Sequence, residues 1–150
     1  MLDLSLAIEK DQTLLRYHGD TYGLTLSHLS RYADAIEVYE RTLQEVSDSN
    51  RYYVLYNIAV VIVCWKGNKK ASDRIREARV ELLRLLDTKE EGYAFYGIDG
   101  LEAILGNVSL SLNYLSKAVK EKKHVAIWAR HDIAWRHLHG SAPGSGGERS

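Results

Sequence analysis

Four histidines near the C-terminal end, His124, His131, His137 and His139, with Asp132 among them, are the side chains that most readily suggest a metal. Zinc needs ligands converging at about 2.0–2.2 Å, and on a helix a pair must stand four residues apart. His131 and His137 are six apart, so exposed or groove-facing histidines are expected and a metal is not. Catalysis finds no better footing. The chain has no Gly-rich phosphate loop, no His-Glu-x-x-His and no nucleophile elbow. Glu90-Glu91 suits the acidic first turn of a helix rather than an acid/base pair. Cys64 is the single cysteine; it excludes an internal disulfide and falls in an apolar stretch, as core or groove wall. Neither catalytic residues nor a cofactor are expected, and the chain does not read as an enzyme. It is rich instead in tyrosine, ten in all. A tyrosine offers a flat apolar face with a hydroxyl at its edge, able to pack on a peptide side chain while bonding its backbone. The chemistry on offer is recognition.

Those aromatics are spaced. Tyr17, Tyr53, Tyr93 and Trp128 are separated by 36, 40 and 35 residues, and their neighbours keep the register. Five residues beyond each stand Tyr22, Ile58, Ile98 and Ile133, followed by Gly23, Ala59, Asp99 and Ala134. Further on come Ala35, Ala71 and Ser111, then Tyr39, Ile75 and Leu115, then Thr42, Ala78 and Ala118. This small, large, small pattern predicts helix hairpins that approach closely at the small residues and lock at the large one. Each hairpin leaves one face open, so the units must stack.

In the first unit Gly23, Tyr32, Ala35, Tyr39 and Leu43, and in the third Gly106-Asn107 with Leu112, Leu115, Ala118 and Val119, resemble the signature of the tetratricopeptide repeat (TPR) family. The resemblance implies an all-α fold: a right-handed α-solenoid of helix-turn-helix repeats with a C-terminal capping helix. It places an N-terminal cap segment at 1–11, repeats at about 12–48, 50–87 and 89–123, the capping helix at 125–138 and a tail of flexible-linker composition, with the only proline, Pro143, at 139–150. Three features depart from the family pattern: Asp99 stands at a small position, Arg79 at an apolar one, and the proline between repeats is missing.

In that family the first helix of each hairpin lines a concave groove. Carried across, the groove residues are Tyr17, Asp20, Thr21 and Leu24; Tyr53, Tyr56, Asn57 and Val60; Tyr93, Tyr96, Gly97 and Gly100; and Trp128, His131, Asp132 and Trp135. Gly97 and Gly100 would leave room between the rings, while Tyr17, Tyr53 and Tyr93 divide between lining the groove and packing on the adjacent hairpin. Some members grip a C-terminal carboxylate with Lys, Arg and Asn. Here only Asn57 matches, so acidic chaperone tails are not the expected ligand. The implied function is a non-enzymatic interaction module, a scaffold, adaptor or assembly chaperone, that binds a partner peptide or helix. The stretch from Tyr32 to Ile58 is also similar to TPR proteins that help assemble photosystem I, which would imply a plastid stroma.

Composition is ordinary for a globular domain, 45% hydrophobic and 27% charged. The charge is uneven: residues 1–50 carry four basic and nine acidic groups and the remainder sixteen and eleven. That asymmetry can steer a charged partner or favour head-to-tail association. Two alternatives follow. One is a self-associating building block. The other is a nucleic-acid-binding domain using Lys117, Lys120, Lys122, Lys123, Arg130 and Arg136, against which the zero net charge weighs. The opening residues carry acids and no basic stretch before an apolar core, unlike a secretory signal. The apolar run Ile58 to Trp65 is too short to span a bilayer. A cytoplasmic setting is expected.

Overall fold

The computed structural model describes residues 2–135; the expectations for the tail at 139–150, Arg136 and the end of the capping helix fall outside them. The fold is all-helical: α1 (Leu2–Lys10), α2 (Leu15–His28), α3 (Tyr32–Glu45), α4 (Arg51–Lys66), α5 (Asn68–Leu83), α6 (Glu91–Ile104), α7 (Val108–Glu121) and α8 (Val125–His131). Short 3-10 turns precede α2 and α4, and another, Ile133–Trp135, follows α8. No helix among the described residues is long and apolar enough to cross a membrane. The chain divides into two compact units between Ala78 and Arg79.

Local chemistry sets the helix ends. Asp11 caps the turn leading into α2: its Oδ1 accepts the Thr13 hydroxyl at 2.6 Å and the Thr13 N–H at 3.0 Å. These two bonds hold the exposed carboxyl below the usual carboxylate range, the hydroxyl contributing most. The Glu91 carboxylate at the start of α6 accepts the Asp87 N–H at 2.6 Å, as an acidic first turn should. Gly67 alone separates α4 from α5. Its φ of 87° and ψ of 171° lie where only glycine is at ease.

In the N-terminal unit α2 and α3 form a hairpin, and α4 packs on α3 and touches α2. Close approach depends on missing side chains. A Cβ at Gly23 would stand 2.5 Å from the Tyr39 ring, and one at Gly19 would strike the Thr42 hydroxyl. Tyr39, Thr42 and Ala35 are buried there, the positions the small, large, small register selects.

In the C-terminal unit α6 and α7 form the second such hairpin. The correspondence is close: α6 and α7 begin and end 76 residues after α2 and α3. Their turns share one hydrogen-bond pattern. Leu29 and Leu105 donate to Thr25 and Leu101 at 3.1 and 3.2 Å; Ser30 and Gly106 donate to Ser27 and Ala103 at 3.0 Å; Arg31 and Asn107 donate to Leu26 and Glu102 at 2.9 Å. Ser30 and Gly106 both take a left-handed conformation, with φ 59° and 84°. The interval of 76 is the sum of the first two aromatic spacings, so the first and third expected units share one hairpin geometry.

The departures from the repeat pattern are paired. Asp99, the counterpart of Gly23, is fully buried and faces Ser111, whose hydroxyl donates to the Asp99 carbonyl at 2.9 Å and lies 3.3 Å from Oδ1. Oδ2 has no hydrogen-bond partner among the described residues. Burial, then the nearby Asp132 charge, push the Asp99 carboxyl up to about 8, against an opposing contribution from Ser111. Arg79 meets Glu102, Nη2 to Oε1 at 2.9 Å, and the other oxygen of this buried carboxylate accepts Asn107 Nδ2 at 2.6 Å.

The capping helix is shorter than its sequence suggests. The expected span was 125–138, yet α8 stops at His131 because Asp132 turns extended, at φ −73° and ψ 127°. Its carboxylate then accepts the Ala134 N–H at 2.9 Å and starts the 3-10 turn. Ile133, Ala134 and Trp135 of that turn are buried, and the turn packs on α6.

Candidate functional site

The expected groove residues fall into two groups, one in each unit, built around the same joint. In the N-terminal unit Asn57 Nδ2 on α4 donates to Asp20 Oδ1 on α2 at 2.7 Å. In the C-terminal unit the Tyr96 hydroxyl on α6 donates to Asp132 Oδ2, just beyond α8, at 2.6 Å. Asp20 and Tyr96 each lie three residues past an aromatic register position, Asn57 and Asp132 each four past the next. Each joint therefore ties the first helix of a hairpin to the segment that follows the hairpin. Different side chains make it, but the positions are equivalent.

Around the second joint the aromatics close on one another. Trp128 stacks on Tyr93 at 5.7 Å between centroids and 17° between planes, and meets Tyr96 edge-on at 5.7 Å. His124 packs edge-on against Trp128 at 5.0 Å, and its Nε2 lies 3.0 Å from the Tyr93 hydroxyl. The Lys122 ammonium stands 5.1 Å from the Tyr93 ring centroid, a cation–π contact. Tyr96 and Trp135 are buried. Burial, then Asp132, push the Tyr96 phenol well above its ordinary value, so it is the donor in this bond at every physiological pH. Trp135 Nε1 has no partner among the described residues. Leu82 lies against Gly97, where a Cβ would come within 2.5 Å of its Cδ2; the room expected beside this glycine holds a core leucine. Gly100 is buried. Tyr93 is half-buried, Trp128 keeps part of its ring exposed and His131 is exposed.

Around the first joint the surface is open. Tyr17 is 71% exposed and Leu24 39%, seven residues apart and so on one side of α2. Thr21 lies between them, also exposed. Tyr53 is half-buried at the start of α4, its phenol pushed up by burial and then by Asp20. Tyr56 and Val60 are buried, Asn57 half-buried. This face offers an aromatic ring, an aliphatic side chain, a hydroxyl and a carboxylate whose position is held by an amide. Such a set can pack on an apolar group while hydrogen-bonding a polar one beside it.

The reading of single residues missed two things: that Asp132 would end α8, and that His124 belongs with Tyr93 and Trp128. The interval of 31 between Tyr93 and His124 falls outside the repeat spacing, so no periodic signal marks it. No family model, no curated protein and no solved structure matches the chain.

Proposed function

We propose that the chain is a protein-interaction module of the TPR type, and that its partner-binding surface is the α2 face of the N-terminal unit. Tyr17, Thr21 and Leu24 make the contact, with Asp20 and Tyr53 at its border. The observation that carries this reading is the contrast between equivalent positions. Tyr17 stands free at 71% exposure while its counterpart Tyr93 is covered by Trp128 and His124. An aromatic ring and a leucine held outward on a rigid helix suit an apolar partner segment, and such anchors dominate binding energy. The two equivalent joints and the hairpins repeating at 76 residues support a stack of helix-turn-helix units.

The test is selection from a displayed library of random peptides against the full chain, followed by titration of the selected peptides. Peptides that bind wild type should lose at least about tenfold in affinity, about 1.4 kcal/mol, on a Tyr17→Ser, Leu24→Ser double variant with unchanged circular dichroism. Peptides that bind both proteins equally would place recognition elsewhere.

A further inference from the structure

The polar joint of the N-terminal unit also fixes what stands at one end of that unit. Short turns join α2 to α3 and α3 to α4, and each pair packs together, so α2 and α4 run in the same direction. The bond from Asn57 to Asp20 ties them side by side. Leu29 lies nine residues beyond Asp20 and Trp65 eight beyond Asn57, about 12–14 Å along either axis at the helical rise. The two side chains therefore reach the same end of the unit at one height. Both are open, Leu29 at 59% exposure and Trp65 at 45%. Cations accompany them. Lys66 follows Trp65 directly, and because Gly67 alone separates α4 from α5, Lys69 and Lys70 sit beside it in the first turn of α5. All three lysines are exposed. None is held in an ion pair among the described residues, and the Lys66 ammonium stands 4.1 Å from the Trp65 ring centroid. The nearest acids along the sequence, Asp34 and Asp73, are each matched by an arginine, Arg31 at 2.8 Å and Arg76 at 3.4 Å.

We propose that this end of the N-terminal unit docks on the surface of an anionic lipid bilayer. Two features select that occupant. Three lysines without a carboxylate call for negative charge on the partner, and each is worth about fivefold in binding at an anionic membrane surface. The level placement of Leu29 and Trp65 calls for a plane. A leucine and an indole carried by separate helices at one height can enter a flat interface together, the indole at the headgroup boundary where tryptophan is favoured and the ammonium groups at the phosphates. A single-stranded nucleic acid shares the charge but gains from rings that stack on successive bases, and Leu29 offers none. Neither Leu29, Trp65 nor the lysines belong to the Tyr17, Thr21 and Leu24 face, so the two readings stand or fall separately.

Flotation of the full chain with lipid vesicles reads the contact directly. Phosphatidylcholine vesicles with about one-third phosphatidylserine should carry wild type at low salt and less of it as salt rises, whereas phosphatidylcholine alone should not. A Lys66→Gln, Lys69→Gln, Lys70→Gln variant should lose about a hundredfold in partition. A Leu29→Ser, Trp65→Ser variant keeps every charge and should lose at least about tenfold. Lys89→Gln, Lys120→Gln, Lys123→Gln makes the same change of charge at exposed positions elsewhere and should bind as wild type does. All three should keep the wild-type circular dichroism. Wild type that does not float with the anionic vesicles overturns the proposal. So does an end-face variant that binds as wild type does, or a control variant that loses as much as the first. Tighter binding of a single-stranded oligonucleotide, lost in the Lys66, Lys69, Lys70 variant, would also overturn it by making the partner a nucleic acid.

Discussion

Replacing Asp99 by Asn should stabilise the C-terminal unit, and by more as pH rises. The carboxyl is fully buried with Oδ2 unpartnered, and is held up to about 8 against 3.8 for the free side chain. Between those values the unfolded chain has released the proton and the folded chain keeps it. The folded state therefore binds more protons, and stability falls by up to about 1.4 kcal/mol per pH unit. The favourable contribution is fully present below about pH 4 and is lost by the time pH passes about 8. At pH 7 roughly three units of that fall have accumulated, about 4 kcal/mol, a large share of the stability of a small unit. Asn keeps an oxygen for Ser111 and carries no ionisable proton, so this dependence should vanish. The assay is hydrogen exchange at the α6 and α7 amides between pH 5 and 9, corrected for intrinsic exchange, which separates this unit from residues 1–78. Wild-type protection free energy should decline over that range, whereas Asp99→Asn should stay level and exceed wild type most at pH 8 and above. A variant no more stable than wild type at pH 8, or one whose protection declines equally, would refute the reasoning.

Ser30→Gly should stabilise the N-terminal unit by about 1 kcal/mol, measured by urea unfolding, because Ser30 holds a left-handed backbone where its counterpart is Gly106. Tyr96→Phe should cost about 1–2 kcal/mol through loss of the charge-assisted bond to Asp132, seen as faster exchange of the Ala134 amide with no change in α2 or α3. Arg79→Met should cost about 2–3 kcal/mol by leaving the Glu102 carboxylate buried with only Asn107. Adding Glu102→Leu should recover most of that in a melting experiment, since the counterpart of Glu102 is the buried Leu26.

Much of this fold is legible because helices leave periodic marks. The small and large positions from Gly23 to Thr42 predict a close hairpin, which α2 and α3 form, and the first two aromatic spacings sum to the interval at which that hairpin recurs as α6 and α7. Asp99 and Arg79 were visible as departures, but not their partners. Ser111 and Glu102 are ordinary residues until folding brings them opposite a misfit. The site was less legible. Periodicity places a residue on one side of a helix without saying whether a neighbour will cover it, so Tyr17 and Tyr93 looked alike although one is open and the other stacked beneath Trp128. The end of α8 depends on Asp132 preferring a phenol and an N–H of the next turn to another helical residue. That is a tertiary competition with no local signature.

The joint between successive first helices keeps its position while changing its chemistry, an amide on a carboxylate in one unit and a phenol on a carboxylate in the other. What the position requires is therefore an acceptor and a donor of matching reach, and not one particular pair. A carboxylate on either side of the joint can be met by an amide or by a phenol, so substitutions that swap one donor for the other can pass without leaving a half-buried polar group unmatched, whereas an apolar replacement on one side alone leaves its partner stranded.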